Sequence, residues 1–284
     1  PWGVWTNHEL MKKYNLKKNE TWDDIFDNCQ TLKKAGSKAQ IFSPYGMQQA
    51  APLEFVLYFY WNWGVNPMSA DHIAKKETGF NVPGFANMLG WLRKMSKNGC
   101  LVNYGGDGRN ALSHYEAVLH PDGPYLVGIA RNSNPDKLAG NKLFDVFSVE
   151  TFPVLKRGDT PKIQGLGHAM AISAQSEHQK EAMRFVEYWV SNDKGIDLYT
   201  TPMGAITPSI KGQNKRKSND YNNAVSKGYL NKVLPYLQSV PLSEGWTNCG
   251  KIAVDAQHRA ILTDDPIDDM IKMVDNTCKI ILGL

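Results

Sequence analysis

The chain has 284 residues, of which 42% are hydrophobic and 21% charged, and its net charge is +4. This length and composition are typical of a soluble globular protein with roughly two domains. The positive excess is small and spread along the sequence, which gives no reason to expect nucleic acid as a partner. No apolar run approaches the roughly 18 residues that a membrane-spanning helix needs.

Helix signals dominate the first third of the chain. Thr21 followed by Asp24 forms a capping-box pattern that predicts the start of a helix. The dense apolar run over residues 51–63 predicts a buried helix. Pro83 opens another periodic stretch, which ends at Gly99.

Extended segments are predicted in the middle of the chain. Residues 116–120 (EAVLH) predict a strand, which leads into a rigid turn at 121–125. Residues 144–155 predict a further extended segment, and residues 167–173 predict a short buried strand. The alternation of helices and short strands indicates an α/β protein.

Three further helices are predicted towards the end of the chain, beginning near Ser176, near Ser243 and at Asp265–Pro266. The first has a strongly apolar face, formed by Ala182, Phe185, Val186, Trp189 and Val190. Tryptophans on helical faces are expected in the core: Trp22, Trp61, Trp63, Trp91 and Trp189.

Four cysteines are widely spaced along the sequence: Cys29, Cys100, Cys249 and Cys278. They form no paired C-x-x-C and no pattern with histidine, which argues against a metal site. Three disulfide pairings remain open in an oxidising compartment, and free thiols remain open as well.

The sequence has no G-x-S-x-G, no H-E-x-x-H and no phosphate-binding glycine loop. The glycine-rich stretch at 104–108 is interpreted as an ordinary loop. Paired acids at 23–24, 264–265 and 268–269 lie at helix starts, where the helix dipole favours them. No cofactor is predicted, and binding without catalysis is the leading hypothesis. A carbohydrate-active enzyme with an unrecognised carboxylate pair, and a binding protein of the same fold used for signalling, remain the alternatives.

Several short segments occur together in one order along the chain: Trp5–Leu10, Lys18–Asp24, Asp122–Tyr125, Phe152–Val154, Gly165–Ile172, Ala182–Tyr188 and Met203–Gly204. Asp122–Tyr125 resembles an Asn-Gly-Pro-Trp turn, with tyrosine in place of tryptophan. In this order the segments resemble the sugar-binding class of extracellular solute-binding proteins, of the maltose-binding type. The resemblance runs over essentially the whole chain.

This resemblance implies a two-lobed periplasmic-binding-protein-like fold of type II, with ligand in the cleft and closure by hinge motion. Residues 1–152 and 206–284 are expected to form the C-terminal lobe, and residues 153–205 a segment of the N-terminal lobe. The family's N-terminal third has no counterpart here, so an incomplete N-terminal lobe is expected. The implied partners are a sugar or polyol and the membrane permease of an ABC transporter. A monomer in the periplasm or outside the cell is expected, with a lipid anchor as an open alternative.

Candidate ligand contacts follow from the resemblance, position by position. Tyr125 and Trp246 fall at positions where the family has aromatic residues, and sugars suit such rings because their C–H faces are apolar. Hydrogen bonds to the sugar rim are assigned to Asp122 and His168. Trp5 and Gly204 are further candidates. A structural role in the core is the alternative for each.

Overall fold

The computed structural model describes residues 1–43, 52–101, 107–165, 167, 169–204, 206–207, 209–216, 222–241 and 243–284. The strands are β1 (Gly3–Asn7), β2 (Gln40–Phe42), β3 (Ala117–Asp122), β4 (Phe147–Glu150), β5 (Ile163–Gln164) and β6 (Leu237–Gln238). The helices up to β4 are α1 (His8–Lys13), α2 (Trp22–Lys34), α3 (Leu53–Trp61), α4 (Ala70–Ala74), α5 (Pro83–Lys97), α6 (Gly108–Ser113), α7 (Leu126–Ser133), α8 (Pro135–Leu138) and α9 (Lys142–Val146). The later helices are α10 (Gln179–Ser191), α11 (Asp193–Met203), α12 (Ile210–Arg216), α13 (Ala224–Gly228), α14 (Trp246–Leu262) and α15 (Ile267–Leu282). A π-helical turn (Tyr229–Val233) and a 3-10 turn (Leu234–Tyr236) follow α13.

A four-stranded sheet in the order β2-β3-β1-β4 forms the centre of the fold. Strand β1 is antiparallel to both β3 and β4, whereas β2 is parallel to β3. Every residue of β1 is buried. Gly3 pairs with Asp122, so the start of β1 lies beside the end of β3. A separate parallel pair joins β5 to β6.

The predicted helices of the first third are confirmed. The Thr21 hydroxyl accepts the Asp24 backbone N–H at 3.2 Å, and the Asp24 carboxylate accepts the Thr21 N–H at 2.9 Å. This reciprocal capping box starts α2. The run at 51–63 contains α3, and Pro83 is the first residue of α5.

An aromatic cluster forms the core between α2, α3 and α5. The Trp22 ring centroid lies 5.7 Å from that of Trp63 and 5.3 Å from that of Trp91. Trp61 is also buried, as predicted. The prediction was wrong for Trp189, which is half-exposed on α10.

One disulfide joins Cys29 on α2 to Cys100, which follows α5. Cys249 and Cys278 are free and buried. Of the pairings that the sequence left open, the structure therefore contains Cys29–Cys100 together with two thiols.

The prediction of an extended segment over 144–155 was correct only in part. Residues 147–150 form β4, but residues 144–146 belong to α9. Leu143 and Val146 are both buried at the i, i+3 spacing of a helix, which explains why packing favours helix over strand there.

The buried strand predicted over 167–173 was wrong for its described part, because residues 169–173 form no strand and are mostly exposed. The ladder of β5 ends at Gln164, so no neighbouring strand among the described residues holds this segment in a sheet. The next helix, α10, begins at Gln179 rather than at Ser176, and its N-cap His178 makes no side-chain capping bond. In the described structure α10 buries none of its residues. Among the described residues, no helix is both long and apolar enough to cross a bilayer.

Candidate functional site

The candidate site lies where β1 begins and β3 ends. Asp122, the last residue of β3, has no exposed surface, and its Oδ2 accepts a 2.6 Å hydrogen bond from Nε of Arg109. Oδ1 accepts the backbone N–H of Gly123 at 2.7 Å and lies 3.4 Å from Nη2 of Arg109. Helix α6 therefore supplies the cation, and the end of the central sheet supplies the buried anion.

Asp122 is ionised because its partners outweigh its burial. Burial alone raises the pKa of this carboxyl, but His120 and Arg109 oppose it and hold the pKa below its ordinary value. Nε2 of His120 lies 3.5 Å from Oδ2 of Asp122, and Nδ1 lies 2.7 Å from the Ser43 carbonyl oxygen. Asp122 and Arg109 therefore form an ion pair, and His120 is its polar neighbour.

Tyr125 lies at the end of the tight turn that begins at Asp122, and it is partly exposed. The Arg109 guanidinium lies 5.4 Å from the centroid of its ring, and Nη2 lies 3.4 Å from its hydroxyl. A Cβ on Gly123 would meet the Tyr125 ring at 2.4 Å, so glycine is required for the ring to fold back over the turn. Arg109 and Asp122 thus orient an aromatic residue that is still partly exposed.

Gly204 brings the 153–205 segment against this turn. Its φ of +62° is in the left-handed region, and a Cβ there would lie 2.8 Å from Cβ of Val127 and 3.3 Å from the Pro124 carbonyl oxygen. Only glycine allows this close approach without strain. Gly204 therefore lies against the turn that carries Tyr125.

Trp5 supports the site from inside the core and is fully buried. Its indole N–H donates to the Tyr229 hydroxyl at 2.9 Å, and that hydroxyl donates to the Asp122 carbonyl oxygen at 2.6 Å. Burial raises the pKa of Tyr229, so the hydroxyl keeps its proton for this bond. The chain Trp5–Tyr229–Asp122 fixes the backbone of the site.

Trp246 lies at the first turn of α14 and is 4% exposed. Its indole N–H donates to the Glu54 carboxylate at 3.1 Å. The next residue on α3, Phe55, stacks on Trp2 at 5.6 Å, and Trp2 precedes the Gly3 that pairs with Asp122. Trp246 is therefore connected to the start of β1 through helix α3, by way of Glu54 and Phe55. His168, the remaining candidate, lies outside the described residues.

Sequence reasoning missed Arg109, Tyr229 and Glu54. Arg109 follows a glycine-rich stretch that was interpreted as an ordinary loop, and nothing local pairs it with a carboxylate 13 residues away. Glu54 carried a signal, since it is the only charge within the apolar run 51–63. A lone charge in an apolar helix indicates a polar partner in the core.

A cavity of about 680 Å³ lies on the other face of β1, lined by Val4, Thr6, Glu150 and Lys232 among others. Val4 and Thr6 face this cavity, whereas Trp5 between them faces the opposite side, as strand alternation requires. Its charges are compensated locally, because Lys232 pairs with Glu150 at 2.6 Å. This cavity contains no candidate from the sequence.

The paired acids at helix starts have structural partners. Asp24 belongs to the capping box and also pairs with Arg157. Asp264 pairs with Lys97, and Asp265 with Arg259. None of these described contacts arranges two carboxylates across a cleft.

Comparison with known proteins identifies the family. The model of the bacterial extracellular solute-binding proteins matches residues 1–196. No curated protein sequence matches the chain.

Solved structures match over nearly the whole chain, with low sequence identity. An ABC transporter solute-binding protein from Thermotoga lettingae, bound with α-D-tagatose, has 18% identity and a TM-score of 0.79, and the match covers 99% of this chain and 70% of that one. The sugar-binding protein MalE from Xanthomonas citri has 14% identity and a TM-score of 0.74, with 99% and 68% covered. The maltotriose-binding protein of Thermus thermophilus, bound with maltotriose, has 16% identity and a TM-score of 0.70, with 98% and 69% covered.

These matches establish an α/β fold of the type II periplasmic-binding-protein class. The family is one of solute receptors rather than of catalysts, and its members act outside the cytoplasm. The chain belongs to the bacterial extracellular solute-binding proteins.

Proposed function

We propose that this chain is the substrate-binding component of an ABC importer and that it captures a sugar or a related polar solute in a cleft between two lobes. The observation that carries the proposal is the half-exposed ring of Tyr125, held beside the Arg109–Asp122 pair. Solved proteins of similar fold are described as bound to α-D-tagatose and to maltotriose. These ligands support a sugar as the class of solute.

The chemistry of the site suits a neutral, hydroxyl-rich ligand. The partly exposed ring of Tyr125 offers apolar surface for sugar C–H groups. The buried charge of Asp122 compensates that of Arg109, so the pair supplies polarity without a net charge. We assign the stacking role to Tyr125 and hydrogen bonding to His168. Asp122, Trp246 and Trp5 are buried, so we assign them, together with Gly204, to support of the wall that carries Tyr125.

We further propose that residues 1–152 and 206–284 form one lobe and that 153–205 belongs to the other. The observation that supports this division is the exposed apolar face of α10, because a helix with such a face is normally covered by its own lobe. The first residues of the segment still contact the larger lobe, since Val154 bridges to Thr21 and Ile163 pairs with Leu237. We expect α10 amides to exchange hydrogen faster than those of α5, and equal protection of the two helices would contradict the division.

The partner in this proposal is the membrane permease of the importer, which receives solute from the closed receptor. The receptor acts as a monomer. It is either free in the periplasm or held at the cell surface by a lipid anchor. Membrane-free fractions that contain all of the protein would exclude the anchor.

Isothermal titration calorimetry with α-D-tagatose, maltotriose and sorbitol tests the sugar assignment. We expect one of these ligands to bind and to raise the melting temperature. The Tyr125→Ala change should weaken binding by about 1–3 kcal/mol, by analogy with stacking of bases on aromatic rings, whereas Tyr125→Phe keeps the ring and serves as the matched control. Absence of heat and of a thermal shift across a broad sugar and polyol panel would remove the sugar assignment. Turnover of a labelled oligosaccharide would instead support the alternative that the protein is a carbohydrate-active enzyme.

A further inference from the structure

Two buried thiols lie against each other between the last two helices. Cys249 on α14 and Cys278 on α15 are both fully buried. The Cys249 thiol lies 3.9 Å from the backbone carbonyl oxygen of Cys278, so the two residues are neighbours in the interface. Helices α14 and α15 pack directly together, so this contact belongs to a stable interface.

The chemical setting of these thiols is oxidising. The chain already contains the Cys29–Cys100 disulfide, and it belongs to an extracellular family. Disulfides form and persist in such compartments. Two neighbouring cysteines there can react with the same oxidants when local opening of the helices uncovers them.

We propose that Cys249 and Cys278 are an oxidation site at which a reversible disulfide joins α14 to α15. With oxidised glutathione as the oxidant, the Cys249 thiolate attacks its disulfide and releases one glutathione. The Cys278 thiolate then attacks Sγ of Cys249 in the mixed disulfide and releases the second glutathione. Two thiols and one glutathione disulfide thus become one protein disulfide and two glutathione thiols.

The environments of the two thiols assign their order of reaction. The hydrogen bond from Cys278 lowers the pKa of Cys249, whereas the hydrogen bond to Cys249 raises that of Cys278. Cys249 therefore ionises first and is the attacking group. Local opening at the end of α15, where Ile280 is 81% exposed, admits the oxidant.

The disulfide would fix the helical turn that holds Trp246, a residue assigned to the wall of the proposed site. Trp246 lies one helical turn before Cys249 on α14. Gly245, with φ of +78°, caps that helix, and a Cβ there would lie 2.8 Å from Cγ2 of Ile281 on α15. Oxidation therefore holds the start of α14 against the end of α15. This consequence for ligand rests on the proposed function, but the oxidation itself does not.

The experiment incubates the purified chain with oxidised glutathione, unfolds it with excess alkylating reagent, and identifies peptides by mass spectrometry. We expect a linked peptide that contains Cys249 and Cys278, no alkylated cysteine, and a melting temperature higher by at least about 5 °C. Cys249→Ala and Cys278→Ala are matched controls: each should keep one alkylatable or glutathionylated cysteine and show no thermal gain.

The proposal is overturned if wild-type chain keeps both thiols under conditions that re-form Cys29–Cys100 after reduction. Linked peptides that join Cys249 or Cys278 to Cys29 or Cys100 would overturn it as well. The linked peptide decides the question even if a variant does not fold, because it is read from wild-type chain. Formation of the linked peptide does not require a bound sugar, so the oxidation proposal stands even if the ligand assignment fails.

Discussion

Asp122 has no contact with solvent, whereas the side chain of its partner Arg109 is 26% exposed. Removing the cation therefore leaves a buried carboxylate uncompensated, but removing the anion leaves a charge that water can reach. We expect Arg109→Met to lower the free energy of unfolding by about 3–5 kcal/mol and Asp122→Asn to lower it by less. Urea denaturation of both variants measures the two values, and the reverse order would contradict the assignment.

The same carboxylate predicts a pH dependence. The folded-state pKa of Asp122 is depressed, so its stabilisation is fully present above the unfolded-state pKa of about 3.9 and is lost as pH falls through the folded value. The difference in unfolding free energy between wild type and Asp122→Asn should be constant above about pH 5 and should shrink below about pH 4. Urea titrations at several pH values test this, and a difference that persists in strong acid would show that Asp122 is not the titrating group.

At the scale of residues, sequence could propose aromatic and acidic candidates for the site, but not what holds them. Asp122 and Tyr125 are candidates because the turn that they share resembles a turn of the family. Arg109 was missed because its ion pair depends on the packing of α6 against the end of β3, which no local pattern encodes. Trp5 was recognised as important, but only the structure shows that it acts through the Tyr229 hydroxyl.

Helix α2 depends on its capping box, since Thr21 and Asp24 satisfy each other's backbone N–H groups. We expect Thr21→Ala to cost about 1 kcal/mol of unfolding free energy, because a buried helix start loses one of these bonds. Thr31→Ala, at an exposed position of the same helix, is the matched control and should change stability by less than about 0.5 kcal/mol. Equal effects in thermal or urea unfolding would argue against the capping role.

Two phenylalanines on different helices differ strongly in burial. Phe85 on α5 is fully buried, whereas Phe185 on α10 is 52% exposed. Phe85→Ala should cost about 3–5 kcal/mol through the cavity that it leaves. Phe185→Ala should cost less than about 1 kcal/mol in this chain. A large cost for Phe185 would mean that its face of α10 is covered in solution.

Elements with local signals were predicted well, and elements that need a distant partner were not. The start of α2 is encoded by adjacent side chains, and the structure confirms it. The segment 167–173 has strand-like composition, but a strand requires a neighbour, and its described residues have none among the described strands. The spacing of residues predicts the apolar face of α10. Whether that face is covered depends on tertiary packing, which the sequence pattern does not encode.

For the molecule as a whole, the Cys29–Cys100 disulfide closes a loop across 71 residues of sequence that includes β2, α3 and α5. A loop of this length should contribute roughly 4 kcal/mol by restricting the unfolded chain. We expect the Cys29→Ala/Cys100→Ala double variant to lose about this amount in urea denaturation. A double variant as stable as wild type would show that residual unfolded-state structure offsets the constraint.

The aromatic cluster of the core also determines what tryptophan emission from this protein reports. Trp22, Trp63 and Trp91 have ring centroids between 5.3 and 5.9 Å apart, close enough for excitation energy to migrate among them before light is emitted. The steady-state spectrum is therefore weighted towards the packing of α2, α3 and α5, none of which carries a proposed ligand contact. A Tyr125→Trp reporter, read as the difference from the spectrum of the unchanged chain, would add an emission signal at the proposed ligand contact.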